Sequence, residues 1–154
     1  MEKQLEEYLH QHIPLSQSMG IRVEHASTHK VILFAPLANN INHKKTVFGG
    51  SLHAVATLAC WSLLYLNLEE KSDEKFQIVI TKSEVSYDAP VDTDFRVECL
   101  TPENITWERF MKMLTSKGKA RIKLSAYIYH KDRLSVNYQA EFAALRSCLG
   151  QDSN

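Results

Sequence analysis

The chain has 154 residues, of which 44% are hydrophobic and 23% are charged, a composition typical of one globular domain with its own core. Its 18 basic and 18 acidic side chains cancel, so the net charge does not indicate nucleic-acid binding. The N-terminal residues lack the apolar stretch of a signal peptide, and Cys60, Cys99 and Cys148 are widely separated. These features predict a cytoplasmic protein without a disulfide framework or a metal site.

Hydrophobic spacing predicts a helix and two strands in the first forty residues. Residues 3–12 carry apolar side chains at helical spacing, and Pro14 ends this segment. Residues 21–25 and 31–37 alternate between apolar and polar side chains, which predicts two strands joined by a short turn. Pro36 places the end of the second strand at an edge or an exit of the sheet.

The longest apolar segment begins after Gly49 and Gly50 and continues to Leu68. Apolar residues occur on all its sides, so we predict a helix that is buried over most of its surface. Because His53 and Thr57 interrupt the segment, it is too polar for a membrane span. The glycine pair predicts free N–H groups at the helix N-terminus, where the partial positive charge can stabilise an oxyanion.

The second half of the chain has the alternating pattern of strands, with one helical segment at residues 101–116. The strands are predicted at residues 76–87, 94–100, 120–128 and 134–142. Such alternation is typical of an antiparallel sheet with one buried face. Because no repeat or linker interrupts the chain, we predict a single α+β domain, residues 1–154, with an antiparallel sheet of about six strands wrapped around the long central helix.

This order of elements resembles the hot-dog fold of acyl-thioester enzymes over nearly the whole chain. Many hot-dog thioesterases carry an Asn and a His-Gly-Gly segment before the central helix, and an acidic residue two turns into it. Asn42, Gly49 and Gly50 match that pattern, whereas Phe48 replaces the His and Thr57 replaces the acidic residue.

The Asn-Ile-Asn motif that ends at Asn42, the segment 46–52 and Trp61 resemble one branch more closely, the thioesterase family of the YiiD C-terminal type. Members of that branch include malonyl-acyl-carrier-protein decarboxylases, in which the second Asn of the motif is catalytic. The resemblance implies that Asn42 is catalytic, and we predict Gly50, at the helix N-terminus, and Thr57, at the position of the acidic residue, as further catalytic residues. It implies substrate binding by Asn40, Thr46, Phe48, Gly49 and Ser51.

The replacement of the family's acidic residue by Thr57 affects which reaction the site can catalyse. Without that carboxylate no general base is evident for hydrolysis, and a dehydratase would need a His with a carboxylate partner. Decarboxylation of a malonyl thioester chiefly needs donors to the enolate oxygen, which the Gly50 N–H and the Asn42 amide supply. The residues therefore favour malonyl-thioester decarboxylation, with acyl-thioester hydrolysis and non-catalytic acyl-thioester binding as alternatives.

Each candidate residue also has a structural interpretation. Asn42 can brace the turn before the helix, and the Thr57 hydroxyl can bond back to the preceding helical turn. His53 is expected to be a packed or interface residue. Bulky Trp61, Phe48 and Tyr65 indicate either a short pocket or core packing.

The resemblance implies a substrate carried by coenzyme A or by the phosphopantetheine of an acyl carrier protein, with no separate cofactor. It also implies a homodimer or a dimer of dimers, with the acyl site between two subunits. Between Arg109 and Arg133, eight basic residues and one acidic residue form a basic zone suited to the phosphates of coenzyme A or to an acidic carrier protein. We predict no nucleic-acid or membrane partner.

Overall fold

The computed structural model describes residues 1–147, so Cys148 lies outside the described residues. The helices are α1 (Glu2–His12), α2 (Pro14–Ser18), α3 (Leu37–Asn40), α4 (Gly49–Lys71) and α5 (Asn104–Lys117). The strands are β1 (Arg22–Ala26), β2 (Lys30–Ala35), β3 (Phe76–Tyr87), β4 (Phe95–Leu100), β5 (Lys119–His130) and β6 (Arg133–Arg146). They form one antiparallel sheet in the order β1-β2-β4-β5-β6-β3.

The sheet packs around α4, which contacts every strand from β2 to β6. Most side chains from Leu52 to Leu68 of this helix are buried, among them Val55 and Leu63, whereas the face with Ala54, Thr57 and Trp61 is only partly buried. By length and composition α4 is apolar enough to cross a membrane, but 61% of its most apolar window is buried inside the protein, as in a core helix. The predicted α+β architecture, with six antiparallel strands around one long helix, is confirmed.

The predicted inward faces of the later elements are also confirmed. Trp107, Phe110 and Leu114 of α5 are buried, and so are Val97 of β4 and Ile122 of β5. α5 packs mainly on β5. It joins β4 to β5, two strands that pair at two positions only.

Two predictions for the N-terminal third need correction. The second strand ends at Ala35 rather than at Leu37, because Pro36 has no N–H for the ladder and residues 37–40 form the single turn α3. Residues 14–18, for which no element was predicted, form α2, and Pro14 occupies its first turn, where a missing N–H has no cost.

The two edges of the sheet differ in how they are covered. At β1, the carboxylates of Glu6 and Glu2 accept hydrogen bonds from the amides of Val23 (2.8 Å) and Ala26 (3.1 Å), so α1 satisfies this edge. At β3, no other element bonds to the outer edge within residues 1–147, and Val79 is 43% exposed. A long uncovered edge strand of this kind is a template for pairing with another strand.

Candidate functional site

Asn42 lies in a closed loop, residues 41–47, that precedes α4. Ile41 and Val47 pair as an antiparallel bridge at its base. The Oδ1 of Asn42 accepts hydrogen bonds from the amides of Lys44 (2.8 Å) and Thr46 (3.2 Å), and its Nδ2 donates to the Thr46 Oγ1 (2.9 Å). The side chain therefore braces the turn. The second N–H of Nδ2 has no partner within the described residues, so it can still donate to a substrate.

Asn40 fastens this loop to the rest of the fold. The side chain is 3% exposed, and its Nδ2 donates to the carbonyls of Met19 (2.9 Å) and Pro36 (2.8 Å). Its backbone carbonyl accepts a hydrogen bond from the Phe48 amide (2.7 Å). Its Oδ1 is buried without a partner. The positions of Asn42 and of the α4 N-terminus thus depend on Asn40.

The N-terminus of α4 has the free donors that the glycine pair predicted. The amides of Ser51 and Leu52 donate to the Phe48 carbonyl, at 3.0 and 3.2 Å, whereas those of Gly49 and Gly50 have no acceptor within residues 1–147. The ring of Phe48 is 58% exposed and lies against Gly50, where an added Cβ would overlap it. This end of the helix can therefore donate two N–H groups to an oxyanion beside an aromatic ring.

At Thr57, the position of the missing carboxylate, the structure has a pair of neutral hydroxyl groups. The Thr57 Oγ1 donates to the His53 carbonyl (2.9 Å), so its 2.7 Å contact with the Tyr138 Oη is a hydrogen bond that Tyr138 donates. Burial raises the pKa of Tyr138 to about 12, which keeps the phenol protonated. Because its proton is already donated, the Thr57 hydroxyl is poorly placed to act as a nucleophile.

His53 lies beside this pair, one helical turn before Thr57. Its ring is half-buried, its Nε2 lies 3.0 Å from the Ser83 Oγ, and its edge faces Tyr138 at 5.2 Å between ring centroids. Sequence analysis did not identify Tyr138 or Ser83, because they reach the helix only through the packing of β6 and β3. The one signal for Tyr138 was its inward position in the alternation of the last strand.

A groove of about 430 Å³ follows α4 from His53 to Trp61. Its walls are the α1–α2 segment, with Leu15, and the strands β3 and β6, with Ile80 and Phe142. Apart from His53 and Thr57 its lining is apolar, and it includes no carboxylate, lysine or arginine. Since residues three and four apart share a helix face, Gly50 stands at the head of the same face, one turn before His53.

The basic residues of the predicted zone lie on α5, on the outward face of β5 and on the β5–β6 hairpin. Arg109 and Arg121 line one surface pocket between α5 and β5, and Arg121 is also paired with Glu141 at 3.1 Å. A strand of the length of β5 spans about 40 Å, so the hairpin lies at the opposite end of this strand from Lys119. Binding of a carrier by this zone stays a prediction.

The two described cysteines are neighbours in the core. The sulfur atoms of Cys60 and Cys99 lie 3.6 Å apart, and both residues are fully buried free thiols. Burial and the neighbouring thiol raise the pKa of Cys60 well above its ordinary value, which opposes thiolate formation. Within residues 1–147, no group of three or more His, Cys, Asp and Glu side chains is arranged to hold a metal ion.

A six-stranded antiparallel sheet around a buried helix, with free amides where that helix begins and an apolar groove along it, defines a hot-dog domain of the thioesterase type. The resemblance in the Asn-Ile-Asn and Gly-Gly segments is confirmed by a family match over residues 2–146. The chain belongs to the family described as "Putative thioesterase (yiiD_Cterm)".

Solved structures show the same architecture. A protein of unknown function from Chlorobaculum tepidum is 35% identical, with a TM-score of 0.89, and the match covers 95% of this chain and 94% of that one. A protein from Shewanella oneidensis described as a "putative thioesterase" is 25% identical, with a TM-score of 0.82 and coverage of 94% and 96%. A thioesterase from Haemophilus influenzae, 11% identical with a TM-score of 0.74 and coverage of 99% and 95%, shares the fold.

Proposed function

We propose that this protein acts on acyl thioesters of coenzyme A or of an acyl carrier protein, and that its reaction is the decarboxylation of a malonyl thioester to an acetyl thioester. The observation that carries the proposal is a groove without a carboxylate along the face of α4 that begins one turn after the free amides of Gly49 and Gly50. The thioesterase family and its structural relatives support an acyl-thioester substrate.

In the proposed reaction the thioester oxygen accepts hydrogen bonds from the amide of Gly50 and from the free N–H of Asn42. The bond between the α-carbon and the carboxylate breaks, and carbon dioxide leaves. The electron pair moves onto the thioester oxygen as an enolate, and the α-carbon then takes a proton from solvent. An oxyanion donor of this kind contributes about 2.7–4 kcal/mol to transition-state stabilisation.

The neutral groove favours this reaction over hydrolysis. A malonyl carboxylate beside Ala54 and Leu58 loses hydration, which destabilises the charged ground state more than an enolate held by two donors. The Thr57–Tyr138 pair adds no negative charge that would repel it. A carboxylate at position 57 would both repel the substrate and supply a base for water.

The side chain of Asn42 allows a test that separates catalysis from loop structure. Asn42→Asp keeps an oxygen that accepts from the Lys44 and Thr46 amides but removes both N–H donors, whereas Asn42→Ala removes both functions. Asn39→Ala is the matched control, because within residues 1–147 the Asn39 amide bonds to the exposed Ser18 carbonyl alone. Malonyl and plain acyl thioesters on both carriers are assayed for acetyl thioester and free thiol.

We expect the wild-type protein and Asn39→Ala to form acetyl thioester without free thiol, and both Asn42 variants to lose at least about a hundredfold in rate. Full activity in Asn42→Asp would show that the residue only supports the loop. Saturable binding of malonyl thioesters without any product would instead favour the non-catalytic binder.

Hydrolysis is the second candidate, because the imidazole of His53 borders the groove and is held by Ser83. In that case His53 acts as the general base for water, and plain acyl thioesters release free thiol. His53→Gln would then abolish thiol release. Under the decarboxylation proposal the same variant keeps most of its acetyl-thioester production.

We also propose that two copies pair through their β3 edges, since α1 covers the other edge of the sheet. Val79→Lys places a charge on the uncovered strand and should convert the dimer to a monomer, whereas Met113→Lys, a change at an equally exposed residue of α5, should not. Light scattering after size exclusion measures both masses. A mass of four chains would indicate a dimer of dimers, and a monomeric wild-type protein would refute the pairing.

A further inference from the structure

A second cavity, of about 400 Å³, borders α4 further towards the C-terminus of the helix. Leu5 and Tyr8 of α1 and Tyr65 and Glu69 of α4 border it. The groove ends at Trp61, one helical turn before Tyr65. The two cavities are therefore separated by three aromatic side chains, Tyr8, Trp61 and Tyr65, which we call the aromatic partition.

The three rings of the aromatic partition hold one another in place. Trp61 and Tyr65 stack with centroids 5.1 Å apart and planes 9° apart, and Tyr65 stacks on Tyr8 at 4.7 Å. Tyr8 in turn stacks with Trp61 at 6.1 Å and with His12 at 4.1 Å. Burial raises the pKa of Tyr65, with smaller contributions from Glu69 and Tyr8, so the phenol is neutral. Such mutual stacking makes the partition a fixed wall.

We propose that the aromatic partition is the end wall of the acyl groove and limits the acyl chain to the length of the groove. This inference rests on the proposed function, because it assigns the groove to the acyl chain. The groove follows α4 from His53 to Trp61, a rise of about 12 Å, and the second cavity extends it by about 6 Å, from Tyr65 to Glu69.

The walls of the second cavity explain why removing the partition would lengthen the accepted chain. Leu5 and Leu66 line its near part, and Glu69 and Glu70 border its far end. A longer acyl chain that entered it would bury further methylene groups, each of which strengthens binding about fourfold. Trp61 is the specificity-determining residue in this interpretation, because its indole closes the groove.

The test uses straight-chain acyl pantetheine thioesters, from acetyl to dodecanoyl, because pantetheine is the arm shared by both carriers. Trp61→Ala removes the wall, Trp61→Phe keeps an aromatic ring there, and Trp107→Phe is the control at the distant tryptophan of α5. The dissociation constant is measured by calorimetry for each chain length, and kcat/KM wherever turnover occurs. Circular dichroism verifies that each variant is folded.

We expect affinity for the wild-type protein, Trp61→Phe and Trp107→Phe to rise with chain length until the chain fills the groove, and to fall for longer chains. In Trp61→Ala the optimum should move to longer chains, with about fourfold tighter binding for each added methylene that enters the second cavity. If Trp61→Ala does not fold, Tyr8→Ala opens the same wall from α1 and must show the same shift.

Two results would overturn the inference while the proposed function stands. One is a wild-type protein that binds chains longer than the groove as tightly as chains that fill it. The other is a Trp61→Ala protein, or its Tyr8→Ala substitute, with an unchanged optimum. Absence of binding and turnover at every chain length, with malonyl thioesters included, would instead refute the proposed function and the inference together.

Discussion

The hydrogen bond from Tyr138 to Thr57 predicts that Tyr138→Phe changes stability in a way that depends on pH. The Tyr138 side chain is fully buried, and its hydroxyl lies 2.7 Å from the Thr57 Oγ1. Removal of one buried hydrogen bond costs about 0.5–1.5 kcal/mol near neutral pH. In a protein of this size we expect Tm to fall by about 1–6 °C.

The pKa of Tyr138 determines how the difference in stability between the wild type and Tyr138→Phe changes with pH. Burial raises the value from 10.0 in the unfolded chain to about 12 in the folded protein. The neutral phenol therefore contributes its full stability below about pH 10, and this contribution is lost as the pH rises through 12. The loss is about 1.4 kcal/mol at pH ~11 and about 2 kcal/mol at pH ~12, and Tyr138→Phe does not undergo it.

Wild-type protein should therefore be the more stable of the two at pH ~8, equal to Tyr138→Phe near pH ~11, and the less stable above that. Urea denaturation of both proteins at a series of pH values measures the difference, in which all other titrating groups cancel. Tyr129→Phe, at an exposed residue, is the control variant in the same series. If the free energies of unfolding of the wild type and Tyr138→Phe differ by the same amount from pH ~8 to pH ~11.5, the assignment of Tyr138 as a buried, neutral donor is refuted.

Three further predictions follow from the site and the core. Gly50→Ala should change the free energy of unfolding by less than about 1 kcal/mol, because alanine favours the helix and the exposed Phe48 ring can move away. The same substitution should lower activity. Thermal denaturation measures the first effect, and enzyme kinetics measures the second. Cys60 and Cys99 should resist iodoacetamide in the native protein and react after unfolding, as peptide mapping would show; native labelling would contradict their burial. Asn40→Ala should cost about 1–3 kcal/mol in urea denaturation, because two backbone carbonyls lose their donor, and an unchanged midpoint would count against that bracing role.

Local patterns were sufficient for most of the fold. The apolar run after Gly50 predicted a buried helix because no polar face interrupts it, and strict alternation predicted the inward faces of β5 and β6. The turn at Asn42 was also predictable as an alternative, because an Asx turn needs only residues within four positions of one another. The cytoplasmic location stays a prediction.

The sequence by itself determined the order of elements, the free amides before α4 and the lack of a carboxylate at Thr57, because these depend on neighbours along the chain. Only the tertiary structure decided what surrounds Thr57: Tyr138, 81 positions away, reaches it when β6 packs on α4. The groove forms where α4 meets the α2 region, β3 and β6, and the aromatic partition forms where α1 packs on α4, so both have the same origin in the packing of distant elements. The hydrophobic periodicity of the sequence does not predict such contacts between elements, because they depend on how whole helices and strands pack together.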